Sequence, residues 1–296
     1  MRLRHYVNQG SLSVPVHLRP GHHDDTRMAM TALLIDGLNL VRRIYAAVPG
    51  DEGTPAHQDG VLHSIERSAR RALTQSEPTH ALCAFDASGP GWRHDLLPEY
   101  KANRPPMPAP LVDLLPKIET TFTDLGIKSM RVAGYEADDV LATIAVKIAA
   151  SNGQAIILST DKSMLSLLRP GIRVRNHFDD RDLDIEYVHK RFSVAPDQIA
   201  TWLALVGESS QSVPGVKSIG AKTAARLINE FGTLDAIVEA AKNMPGRTGE
   251  ALRNDEANAR LSLQLMNLKL DVQVGVNLNE CRIVSRSHQA AVDEHD

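Results

Sequence analysis

An α/β fold, with a mostly parallel central sheet flanked by helices and a smaller helical unit behind it, is what this sequence of 296 residues predicts. Three observations lead there. Apolar runs of strand length alternate with helix-length patterns up to about residue 195, the order that builds parallel sheets. Acidic residues stand at or just past the ends of those runs, and beyond residue 195 the strand pattern stops.

The first strong strand signal is Ala32-Leu33-Leu34-Ile35. A helix near 59–75, a strand at 80–85 and a helix near 110–124 follow, then a helix at 136–150 and strands at 155–159 and 172–175 around a short helix. The segment 87–109 is rich in Gly, Pro and basic residues and is too long for an ordinary strand-to-helix connection. After residue 195 the pattern predicts helices at 196–206, 220–230, 233–243 and 249–267, with Pro214-Gly215-Val216-Lys217-Ser218-Ile219-Gly220 as a tight turn between two of them. The expected division is a leader at 1–30 without regular structure, an α/β domain at 31–195, a helical domain at 196–283 and a flexible tail at 284–296. His22-His23-Asp24-Asp25 in the leader is expected to be an exposed polar tract without a role.

Composition narrows the function classes. The formal net charge is −3, from 33 Lys and Arg against 36 Asp and Glu, so any nucleic-acid partner must meet local basic patches. Arg93, Lys101 and Arg104 form one such patch, and Lys217, Lys222 and Arg226 another. No apolar stretch reaches the ~20 residues needed to span a bilayer, which predicts a cytoplasmic protein with no membrane partner; a monomer is expected. The 2 cysteines, Cys83 and Cys281, are far apart, so a disulfide framework or zinc cluster is disfavoured and any metal must take oxygen ligands.

Four acidic positions carry the chemistry. Asp36, Asp86 and Asp161 each follow an apolar strand, and Glu136-Ala137-Asp138-Asp139 opens a helix. Singly, each acid is explained as a turn or helix-cap residue. Together they belong to one edge of a parallel sheet, where ligands bind. Grouped carboxylates repel one another unless cations neutralise them, and hard oxygen ligands suit Mg²⁺ or Mn²⁺. That is the chemistry of metal-assisted phosphodiester hydrolysis. An aspartyl-phosphate mechanism at Asp36 is disfavoured, because the position two residues on is Leu38.

These residues also resemble a family. Leu34-Ile35-Asp36-Gly37-Leu38-Asn39, Phe85-Asp86, Trp92-Arg93 and Leu97-Pro98-Glu99-Tyr100-Lys101-Ala102-Asn103-Arg104 are similar to the opening motifs of bacterial 5′ nucleases. Gly134-Tyr135-Glu136-Ala137-Asp138-Asp139, Ser159-Thr160-Asp161-Lys162 and Val213 to Ala224 continue the match in order, over about 32–283. The resemblance implies a 5′ nuclease or PIN-like α/β domain, then a 5′–3′ exonuclease C-terminal domain with a helix-three-turn-helix DNA-binding element. It implies Mg²⁺ at a first site of Asp36, Asp86, Glu136, Asp138 and Asp139. The second site keeps Asp161, while Ser163, Glu208 and Gln211 stand where the family has aspartates, so a second ion is expected weakly, with Glu208 as its other ligand, or not at all. A depleted second site is similar to the stand-alone exonuclease IX (Xni) subgroup. In that subgroup, K⁺ on main-chain oxygens corresponds to Leu205, Val206, Pro214, Val216 and Ile219.

The resemblance further implies that 87–109 is part of an arch beside the site. Arg93, Tyr100, Lys101 and Arg104 would meet DNA there, with Tyr100 stacking on a base, and Lys217 and Lys222 would grip the duplex backbone. Catalysis would fall to Lys101, Arg104, Asp138 and Asp139. The substrate implied is DNA with a 5′ flap or a single-strand/duplex junction. A non-catalytic flap-binding clamp and an RNA nuclease stay open as alternatives.

Overall fold

The computed structural model describes residues 30–283; the tract at His22-His23-Asp24-Asp25 and the expected tail at 284–296 lie outside the described residues. The chain begins with β1 (Thr31–Asp36), which runs directly into α1 (Gly37–Ala47) because the Asp36 carboxylate accepts from Asn39 N at 3.2 Å and caps the helix. α2 (Pro55–Ser76) is capped by Thr54, with Pro55 in the first turn where its missing N–H costs nothing. There follow β2 (His80–Ala84), α3 (Trp92–Leu96), α4 (Ala109–Asp124), β3 (Lys128–Met130) and α5 (Ala137–Ala150). β4 (Gln154–Leu158), β5 (Ile172–Asn176) and the short β6 (Arg181–Asp182) complete the sheet. α6 (Ile185–Phe192) leads to α7 (Ile199–Val206), α8 (Ala221–Phe231), α9 (Leu234–Ala241), α10 (Gly246–Asn254) and α11 (Glu256–Met266).

The strand order is β3-β2-β1-β4-β5-β6, parallel except for β6, which pairs antiparallel to β5. β1 sits in the middle, with Ile35 level with Cys83 on one side and Leu158 on the other. Both faces are covered. Leu33 and Ile35 pack towards α1, α2 and α4, while Ala32 and Leu34 pack towards α5. Each fully buried Leu or Ile contributes about 1.5–3 kcal/mol, so a polar residue at either face of β1 would strip the centre of the fold. The core on the α5 side runs without a break into α7, α8, α9 and α11, so the helical unit and the sheet share one apolar interior.

Several elements differ from the sequence reading. The sequence reading places no helix over 37–47, where α1 follows β1 directly with Asp36 as its cap. The helix expected over 249–267 is two helices, α10 and α11, broken at Asp255, whose carboxylate turns aside to accept from Lys217 N at 2.7 Å. The segment 87–109 does not stand away from the body as a free arch. It folds into α3 and a series of turns, stitched down by Trp92 N to Gly134 O at 3.1 Å and Lys101 N to Gln211 O at 3.0 Å.

Candidate functional site

Because β1 connects to β2 on one side and β4 lies on the other, the order of the sheet reverses at the carboxyl ends of β1 and β4. A crevice opens at such a point. Here it is a cleft of about 260 Å³ lined by Asp36, Asp86, Asp138 and Asp161, with Lys101, Arg104, Arg42 and Gln211 on its walls. Acids from four separate stretches of chain therefore face one space.

Each carboxylate is held by the element that delivers it. Asp36 closes β1 and accepts from Ser159 Oγ at 2.8 Å besides its capping bond. Asp86 accepts from Ala137 N at 2.9 Å, so it caps the start of α5 and tethers the end of β2 to it. Asp161 accepts from Ser163 N at 2.8 Å. Asp138 accepts from Ser163 Oγ at 3.3 Å. Glu136, at the N-cap of α5, receives Lys101 Nζ at 2.5 Å and Tyr100 Oη at 3.2 Å.

The electrostatics are strained. Burial pushes the Asp36 carboxyl up to about 7, with further push from Asp161 and Asp86, against the lowering effect of the Ser159 and Asn39 hydrogen bonds. Burial, then Asp161, Asp36 and Glu136, hold Asp138 well above the ordinary carboxylate range, while Lys101 opposes them. Burial alone would lower Lys101, but Glu136 and Asp86 outweigh it and raise its pKa. Its backbone is in the left-handed region at φ 59°, a conformation that costs a non-glycine residue of the order of 1 kcal/mol or more. The bond from its N–H to Gln211 holds it there and puts the ammonium 3.7 Å from Asp86.

These residues fit a divalent cation, since a crowded oxygen donor set at elevated pKa is what a bound hard cation relieves. Among the described residues no three His, Cys, Asp or Glu side chains form a ready-made metal cage. Mg²⁺ does not require one, because it keeps several waters and takes few carboxylates directly.

Some expected site residues are placed elsewhere. Asp139 is fully buried and does not line the cleft. Its two oxygens meet Arg93 Nη1 at 2.6 Å and Nη2 at 3.0 Å, Trp92 Nε1 at 3.0 Å and Lys269 N at 2.9 Å. That saturates it as an ion-pair partner and corrects its expected role as a metal ligand and catalytic group. Arg93 is likewise buried, bonding Asp139, Glu136 at 3.2 Å and Leu265 O at 2.9 Å, so the DNA contact expected of it is corrected to a structural clamp. Glu136 and Asp139 do share a face, and it is the face that Arg93 occupies.

Tyr100 is also corrected. It is 2% exposed, with its hydroxyl shared between Glu136 and Gln211 Oε1 at 3.1 Å, leaving no ring face for a base. Arg104 is exposed on the rim of the cleft.

Around the expected second site, Glu208 is paired with Lys162 and accepts from Ser210 Oγ at 2.9 Å; it does not line the cleft. Ser163 donates to Asp138, and Gln211 accepts from Tyr100, so both neutral residues are used as hydrogen-bonding struts. In the hairpin between α7 and α8, Lys217 and Lys222 are exposed. Leu205 O accepts from Val216 N at 2.9 Å and Val216 O from Ile219 N at 3.1 Å, while Val206 and Pro214 flank Gly207 in the same turn. Each carbonyl retains a second lone pair.

Sequence reasoning missed Asn39, Arg42 and Arg43, which reach the cleft from α1. Their spacing of three and four from Asn39 is a helical signal that becomes visible only once α1 is recognised. Asn39 Oδ1 accepts from Thr160 Oγ1 at 3.1 Å and so ties the loop after β4 to α1.

An acidic cleft at a sheet switch point, with basic side chains on its rim, is the arrangement that phosphodiester hydrolysis calls for. Residues 31–193 match the family described as 5′–3′ exonuclease, N-terminal resolvase-like domain, and residues 194–289 the one described as 5′–3′ exonuclease, C-terminal SAM fold. The chain belongs to the 5′–3′ exonuclease family. It is 43% identical to Flap endonuclease Xni of Cronobacter sakazakii over 258 residues, which are 86% of this chain and 99% of that one. It is 37% identical to Flap endonuclease Xni of Pectobacterium atrosepticum, over 88% of this chain and 97% of that one. The fold is shared with the T5 5′-exonuclease bound to zinc, at a TM-score of 0.70 and 21% identity over 81% of this chain and 90% of that one. It is also shared with the catalytic core of Rad2 in complex with DNA substrate, at a TM-score of 0.53 and 15% identity over 82% and 80% of the two chains. Among the described residues no helix is long and apolar enough to cross a membrane.

Proposed function

We propose that this 5′ nuclease is a Mg²⁺-dependent flap endonuclease, hydrolysing phosphodiester bonds of DNA near the junction of a 5′ single strand and a duplex. The observation that carries the reading is the meeting of Asp36, Asp86, Asp138 and Asp161 in one cleft with Lys101 and Arg104. Asp36, Asp86 and Asp138, with Glu136 beside them, would hold Mg²⁺ or Mn²⁺, directly or through water. When bound, the ion neutralises developing charge and supplies an activated water.

The chain's own groups do the positioning. Lys101, fixed by its backbone bond to Gln211, presents a localised positive charge, and Arg104 can fork onto a phosphate. Arg42 lines the same cleft as Arg104, whose charge, after burial, lowers its pKa, so a phosphate entering there relieves repulsion between two guanidinium groups. Asp161 and Glu208 are the remnant of a second site in which Lys162 already neutralises Glu208. Lys217 and Lys222 would hold the duplex backbone, aided by K⁺ on the main-chain oxygens of Leu205, Val206, Pro214, Val216 and Ile219. One copy of the chain carries every group named, so a monomer suffices.

The test is cleavage of a labelled 5′-flap DNA with rising Mg²⁺ by the wild type and by Asp138→Asn. Intact activity in the variant would sink the mechanism. The depleted second site favours one rival, a clamp that binds flaps without turnover; tight binding with no product at any divalent-metal concentration would establish it. An RNA flap run in parallel separates an RNA nuclease from both. Replacing K⁺ by Na⁺ should weaken duplex binding if the carbonyl site is real.

A further inference from the structure

Beside the catalytic cleft lies a larger cavity of about 740 Å³, between the end of α1, the outer face of α2 and the turn that carries Phe178. Arg43 lines both spaces, so the two lie side by side. His63, Arg67 and Arg71, four residues apart along α2, form one stripe along the wall. No Asp or Glu lines the cavity among the described residues, in a chain whose net charge is −3. Arg43 and Arg67 are exposed, and among the described residues neither pairs with a carboxylate. On the neighbouring face of α2, Arg70 by contrast pairs with Glu66 at 2.7 Å.

Phe178 is the second observation. Its side of the β5–β6 turn is fixed from beneath: Arg71 Nη2 donates to His177 O at 2.7 Å, and the His177 ring meets Ser68. The phenyl itself is 39% exposed, with the Arg43 guanidinium 5.4 Å from its centre. A rigidly mounted aromatic face flanked by arginines that meet no carboxylate among the described residues is the arrangement that binds unpaired nucleotides, the ring stacking on a base and the cations following the phosphates.

We propose that this groove holds one or two unpaired nucleotides of the DNA substrate as a strand leaves the catalytic cleft. The inference rests on the nuclease reading for the identity of the ligand. A cavity of this size is in the range of small-ligand sites, and it is charge-complementary to a phosphodiester backbone.

The test uses the full chain in EDTA, so that binding is read without cleavage. Fluorescence anisotropy would compare one nicked duplex with versions carrying an unpaired extension on the 5′ or on the 3′ side of the nick. Arg67→Glu and Phe178→Ala are each expected to weaken an extended DNA about tenfold beyond any loss on the plain nick, as removal of a stacking or phosphate contact does. Phe178→Tyr, which keeps the face, should bind as the wild type. The extension that responds identifies the strand. Equal losses on all three DNAs, or none, would overturn the groove. Wild-type cleavage of the same flap in Mg²⁺ is scored separately: its absence defeats the nuclease reading, whereas cleavage with unresponsive variants defeats only the groove. An unchanged thermal midpoint for each variant shows that the exposed substitutions leave the fold intact.

Discussion

Asp138 stands among like charges with its carboxyl pushed well above the ordinary range by burial and by Asp161, Asp36 and Glu136. Removing its charge should act in opposite directions on stability and function. Asp138→Asn is expected to raise the thermal midpoint of the metal-free protein, and to lower single-turnover flap cleavage by roughly 100-fold or more, as loss of a group that holds the reaction's charge does. Arg93 poses the reverse case. Arg93→Ala leaves Asp139 buried and unpaired, a loss of about 3–5 kcal/mol measurable by denaturant titration, and Arg93→Lys should restore little because the fork of two bonds is lost. Asp36, Asp86 and Asp161 were legible in the sequence because each follows an apolar strand. Asp139 and Tyr100 were not, since motif position says nothing about which way a side chain turns. Trp92, Arg93 and Lys269, which fix Asp139, come from distant segments.

At the level of elements, the hairpin between α7 and α8 depends on two close backbone passes. Gly215 has φ 66°, and a Cβ there would lie 2.5 Å from Gly207 N. No side chain fits that space, so Gly215→Ala must spread the turn and with it Leu205 O, Val216 O and the amides beside them. The expected cost is about 2 kcal/mol or more in unfolding free energy, from strain added to a crowded contact. Duplex binding should fall with it, while binding of single strands should change less. The turn itself was readable from its bracketing glycines. The break at Asp255 was not, because Glu256 to Met266 and Gly246 to Asn254 each continue a helical pattern, and only the tertiary bond to Lys217 N explains the interruption. The sheet was legible through its apolar runs, apart from β3 and β6, which are only 3 and 2 residues long and owe their pairing to neighbours.

For the molecule as a whole, His177 makes one acid-sensitive contribution to stability, since burial, then Arg71 and Arg175, lower its pKa to about 4, while the raised carboxyls of Asp36 and Asp138 act in the opposite sense. The unfolded chain binds the proton near the ordinary value of about 6.5, so between those two values the unfolded state is the more protonated. The contribution of this group is therefore full above about pH 6.5 and declines towards pH 4, by at most about 1.4 kcal/mol per unit. The unfolding free energy of the wild type relative to His177→Gln, from denaturant titrations, should fall as the pH drops through that range.

The buried Arg93 has a consequence for any attempt to divide the chain. Its Nε reaches Leu265 O in α11, and its partner Asp139 takes the N–H of Lys269 just beyond. Cut after α6, the catalytic half would carry a carboxylate and a guanidinium missing two main-chain partners, beneath an apolar surface opened to water. The two halves should accordingly melt in a single transition, and swapping the helical half between relatives would succeed only where that latch is rebuilt.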